Sequence, residues 1–138
     1  MRWAVMFFTL ALIGATFLPW SSTEHWEMHR RIVESESGIS RAGGILTLVM
    51  GLTCIGLIFL PKRRIRGAGY LIAGSVGGFA GPILYLKSLE SELGEYAAEL
   101  CAHEFGWRIC FLAGSAIGLL GLVELIGIKL QFQRQTRK

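Results

Sequence analysis

The sequence predicts an all-α membrane protein, a four-transmembrane-helix bundle with amphipathic helices in both extracytoplasmic loops. Three observations carry that expectation. Of 138 residues, 52% are hydrophobic and only 17% are charged, a balance far from that of a soluble domain. Four apolar runs, residues 3–20, 42–60, 67–86 and 109–128, each approach the length that crosses a hydrocarbon core of about 30 Å. The basic residues, finally, gather on alternate sides of these runs.

The first run follows Arg2 and could be read as a signal peptide. No small-x-small cleavage site follows it, and Trp3 and Trp20 bracket it like the aromatic belts of a spanning helix, so it reads as a retained span. Between runs two and three lie Lys62, Arg63, Arg64 and Arg66; Lys129, Arg134, Arg137 and Lys138 follow run four, and Arg2 precedes run one. These nine charges fall on one side. The other side holds Arg30, Arg31, Arg41, Lys87 and Arg108 against nine glutamates. The positive-inside rule therefore places both termini in the cytoplasm and the chain in the plasma membrane. The net charge of +4 is then a topology signal with no implication of nucleic acid, and anionic lipid at the cytoplasmic face is an expected contact.

Nearly all the polar chemistry sits in the two outer loops. In residues 21–41, Ser21-x-x-Glu24 forms a capping box and Gly38 a stop, which predicts a helix of about 15 residues between them. On its wheel Glu24, Glu27, Arg30, Arg31 and Glu34 share one side, and Trp26, Met28, Ile32 and Val33 the other. His25 and His29 fall one turn apart on the apolar side. That spacing allows two imidazoles to bind one metal ion, with His103 as third ligand, but a site needs three or four ligands and interfacial packing is the preferred reading.

In residues 87–108, Leu86, Leu89, Leu93, Tyr96, Ala97 and Leu100 recur at three- and four-residue steps among glutamates, which predicts a second amphipathic helix continuing from or following run three. Cys101 and Cys110 then flank the turn signal Phe105-Gly106-Trp107. In an oxidising outer compartment they are expected to form a structural disulfide; a redox site would require a reactive pair such as Cys-x-x-Cys. Cys54, alone in run two, reads as a small packing residue.

Inside the runs the notable residues are glycines: Gly74, Gly77, Gly78 and Gly81 in run three, Gly114 and Gly118 in run four. Small residues one turn apart let membrane helices approach closely, either within the bundle or against another protein. Pro82 is expected to kink run three. Glu124 is the one ionisable residue well inside a run. It is a candidate for proton transfer, or for a salt bridge to Arg64, Arg66 or Lys129.

Some chemistries are excluded. Every acidic residue is a glutamate, and Asp and Asn are absent, which removes Asx-based calcium loops, Ser-His-Asp triads and N-glycosylation acceptors. No histidine lies in any run, so an intramembrane bis-histidine haem is not expected; nor is any other cofactor. A rotary proteolipid ring would combine glycine-rich spans with a carboxylate, but its outer loops would be short.

"ALIGATFLPW", a polar stretch ending in "SGIS", "GGILTLVMGL" and the basic turn together resemble small bacterial four-span membrane proteins of unassigned function. The resemblance covers roughly residues 10–70 and implies a four-span bundle without an active site. Claudin-like proteins share the span count but pair cysteines in the first outer loop, and disulfide-forming quinone reductases need more cysteines. The expected role is a non-enzymatic accessory or scaffold subunit partnered by other integral membrane subunits. The alternative is transport or metal handling through the outer histidines and Glu124.

Overall fold

The computed structural model describes residues 1–27, 30–93 and 105–136, and the backbone alone at 23–27, 30–34, 93, 134 and 136. The chain is mostly helical. In order run α1 (Arg2–Phe17), β1 (Pro19–Glu27), β2 (Arg30–Ser37), a 3-10 turn (Gly38–Ser40), α2 (Ala42–Ile58), α3 (Arg63–Ser75), a π-turn (Val76–Ala80), α4 (Gly81–Leu93) and α5 (Phe105–Thr136). The helical stretches Arg63–Glu92 and Phe105–Gln133 are long and apolar enough to cross a membrane, and Arg2–Phe17 and Ala42–Ile58 are shorter apolar helices.

Each helix buries one stripe at three- and four-residue steps: Val5, Thr9, Leu12 and Thr16 in α1; Gly43, Thr47, Gly51 and Cys54 in α2; Gly67, Tyr70 and Gly74 in α3; Pro82, Tyr85 and Leu89 in α4; Cys110, Ala113, Ile117, Gly121 and Glu124 in α5. Small residues dominate these stripes, while Phe7, Leu10, Leu52, Ile72, Leu112 and Leu119 point outward. A core driven by water exclusion would be sorted the other way. Small inward residues instead let backbones meet.

The closest approaches confirm why glycine stands there. A Cβ on Gly74 would lie 2.6 Å from the Gly114 carbonyl oxygen, one on Gly78 2.8 Å from Gly114 Cα, and one on Gly121 2.7 Å from the Gly67 carbonyl oxygen. These contacts bind α3 and the π-turn to α5. Between α2 and α4, a Cβ on Gly81 would lie 2.8 Å from the Gly43 carbonyl oxygen. Gly77 faces Met50 and Leu12, and a Cβ on Gly118 would meet nothing within 4 Å.

The π-turn directly precedes Gly81 and Pro82. Proline has no N–H to give the carbonyl four residues back and crowds it, and a widened turn absorbs both effects. Thr47 Oγ1 compensates from α2: it lies 3.0 Å from the Gly77 carbonyl oxygen and 3.1 Å from that of Gly43.

The segment between α1 and α2 departs from expectation. The amphipathic helix predicted within residues 21–41 is replaced by an antiparallel hairpin, β1 against β2, with Ser22 opposite Ser35, His25 opposite Ile32 and Glu27 opposite Arg30. The cause is closure. The Gly38 N–H bonds the Leu18 carbonyl at 3.3 Å, so the segment must return to its start. A helix of 15 residues would separate its ends by about 22 Å, which the flanking residues could cover only when almost fully extended, whereas a hairpin returns the chain by construction.

Helix boundaries also move. The basic residues Arg63, Arg64 and Arg66 belong to the first turns of α3, and Phe105-Gly106-Trp107 opens α5 and makes no turn. Within residues 87–108, helix is seen through Leu93; the remainder of the predicted amphipathic helix lies outside the described residues.

Candidate functional site

Two polar clusters occupy opposite ends of the bundle. At the end where α3 begins, Arg66 and Glu124 are 4% and 5% exposed and form an ion pair between α3 and α5. Arg66 Nε donates to both carboxylate oxygens at 3.1 and 3.3 Å, and Nη2 donates to Oε1 as well. Its Nη1 donates to the Leu60 carbonyl at 3.1 Å, tying down the turn after α2. Two charges taken from water hold together here because each is bonded several times. Of the three basic partners the sequence offers Glu124, the fold presents Arg66.

A cleft of about 410 Å³ opens beside this pair, lined by Arg2, Arg63, Arg66 and Glu124, with Val123, Gly127, Ile128 and Gln131 along α5. Three arginines face one glutamate, and that glutamate is engaged by Arg66. The cleft is therefore cationic.

At the other end Trp20 is fully buried. It sits at an irregularity in the hairpin: Pro19 pairs with Ser37 and Ser21 with Glu36, leaving Trp20 as the extra residue of a bulge. A regular strand turns successive side chains to opposite faces, so the bulge is what lets Trp20 and Ser21 both face inward. The indole packs where Gly38 and Gly106 leave room; a Cβ on Gly106 would lie 2.6 Å from its Cδ1. Its Nε1–H donates to the Ala15 carbonyl at 2.7 Å, which also accepts the Leu18 N–H at the end of α1 at 3.3 Å. Trp20 is thus a buried clamp and not the interfacial belt residue its position suggested, whereas Trp3 is 82% exposed.

Around the clamp, the Ser21 and Tyr85 hydroxyls are bonded at 2.8 Å, and the Tyr85 ring lies 5.0 Å from Trp20 between centroids. Arg41 joins three elements: Nε donates to Glu36 at 2.8 Å, Nη2 to Glu92 at 2.8 Å and Nη1 to Ser88 at 3.2 Å, with Cζ 5.6 Å from the Tyr85 ring centre. The hydrogen bond to Glu36, opposed by burial and reinforced by Glu92, raises its already high pKa. Sequence reading missed this cluster. Its faint signals were two glycines at segment ends and one arginine among many glutamates.

Of the metal-ligand candidates, His25 lies on β1 rather than on a helix; His29 and His103 lie outside the described residues. Among the described residues no group of three or more metal-ligating side chains occurs. The Cys101–Cys110 disulfide is not seen: Cys110 is a free thiol buried in the α5 stripe, and Cys101 lies outside the described residues. Cys54 is likewise free and buried.

Comparison with protein families, curated proteins and solved structures finds none that matches this chain.

Proposed function

We propose that the protein is a non-enzymatic accessory or scaffold subunit of a larger membrane assembly, crossing the plasma membrane four times with both termini in the cytoplasm. The observation that carries this reading is the Arg66–Glu124 pair. The one carboxylate deep in an apolar helix is held by a guanidinium on the neighbouring helix, so it serves packing and is not free to move a proton.

Other features agree. Between their charged ends the helices turn large apolar side chains outward, and α1 and α2, of 16 and 17 residues, reach about 24 to 26 Å at 1.5 Å per residue, nearly the thickness of a hydrocarbon core. Arg2, Arg63 and Arg66 gather at one end and the glutamate-bearing cap at the other, as the positive-inside rule requires of a chain with both termini and one loop inside and two loops outside.

Gentle detergent extraction followed by identification of co-purifying chains tests the role. The expected result is a discrete assembly containing other membrane subunits; a stable lone chain of 15.2 kDa would overturn it. Reporters fused after Arg66 and after Lys138 should read cytoplasm and one near Glu95 the outside. A cytoplasmic reading near Glu95 refutes the topology.

A further inference from the structure

We propose that the cationic cleft at the α3 end is a binding site for a phosphate group, in the first place the headgroup phosphate of an anionic phospholipid. Its volume of about 410 Å³ lies within the range of small-molecule sites, about 300 to 1,000 Å³. Glu124, the single carboxylate of the lining, is spent on Arg66. Arg2 and Arg63 remain: both are exposed, both line the cleft, and neither forms an ion pair with a described residue.

The cleft has a second character that selects among anions. Val123 and Ile128 line its α5 wall, and Val123 is 59% exposed. A cationic mouth continuous with an apolar wall fits an amphiphile, whose phosphate meets guanidinium groups while its glycerol and acyl portions lie along the helix. Guanidinium is well matched to phosphate because its planar N–H fork donates to two oxygens at once. Gly127 supplies the space: a Cβ there would meet nothing within 4 Å. A large side chain at 127 would therefore fill the cleft without disturbing the bundle.

The proposal rests on the four-span reading only for which leaflet supplies the lipid. The basic end faces the cytoplasmic leaflet, where anionic lipids concentrate.

The test is native mass spectrometry of the intact chain, with each variant shown to melt as the unaltered protein does, titrated with phosphatidylglycerol, phosphatidylcholine or inorganic phosphate. Phosphatidylglycerol is expected to bind in preference to phosphatidylcholine. The Arg2→Gln/Arg63→Gln double variant should bind it about 30-fold more weakly, about fivefold per arginine, and Gly127→Phe should weaken it through space alone while leaving every charge in place. Saturable binding of inorganic phosphate that displaces the lipid, lost in the same variants, would assign the same site to a soluble phosphate source. Equal binding of the two lipids, or phosphatidylglycerol binding unchanged in both variants, overturns the proposal. These readouts do not depend on co-purifying subunits, so the site can fail while the subunit role stands, and the reverse.

Discussion

Arg66 on α3 and Glu124 on α5 face one another across a glycine-lined crossing and are buried to nearly the same depth, 4% and 5% exposed. One helical turn beyond Arg66 comes Tyr70, and three residues before Glu124 comes Gly121, whose missing side chain leaves room for the Tyr70 Cβ. The ion pair is thus seated by the same small residues that bring the helices together. Buried charge and close packing are one feature here.

Breaking that pair should cost far more than replacing it. Glu124→Gln strands a buried guanidinium and is expected to lower stability by about 3 to 5 kcal/mol, whereas the double change Arg66→Met/Glu124→Leu removes both charges and should cost less than either single change. Thermal denaturation in detergent of the three variants checks this. A double variant worse than both singles would show that the pair contributes more than mutual neutralisation.

Gly114 and Gly118 look equivalent in sequence but differ in surroundings. A Cβ on Gly114 would come within 2.7 Å of the Gly74 carbonyl oxygen, while one on Gly118 meets open space. Gly114→Ala should therefore cost about 1 to 3 kcal/mol through overpacking, and Gly118→Ala should leave stability unchanged or slightly raised by better helix propensity. Equal melting shifts for the two would contradict this crossing geometry.

Trp20 should dominate the hairpin end of the bundle. Trp20→Ala is expected to lose about 3 to 5 kcal/mol and to speed proteolysis of the hairpin, since its ring fills the space at Gly38 and Gly106. Trp20→Phe keeps an aromatic ring but gives up the N–H donated to Ala15, a loss of about 1 kcal/mol. If the hairpin of Trp20→Ala resists protease as well as the unaltered protein, the clamp is assigned to the wrong residue.

The Tyr70 hydroxyl is buried without a hydrogen-bond partner among the described residues. An unpaired buried hydroxyl costs free energy, so Tyr70→Phe should hold or raise stability by up to about 1 kcal/mol. A clear drop in melting temperature would reveal a partner, such as a bound water.

What the sequence determined by itself was the helical, apolar character of the chain and the approximate position of its four helices. Long runs of apolar residues and the glycine spacings are local facts, and local facts survive in one dimension. The partner of Glu124 was narrowed to three basic residues but chosen only when α3 and α5 crossed at Gly67 and Gly121, which puts Arg66 opposite it. The hairpin was decided wholly by tertiary structure. Residues 21–38 carry a good capping box, a stop and an amphipathic wheel, yet the Leu18–Gly38 hydrogen bond and the burial of Trp20 fix both ends of the segment together. A helix there would need fully stretched flanks to close, so chain closure favoured the hairpin over a helical pattern that the local signals supported.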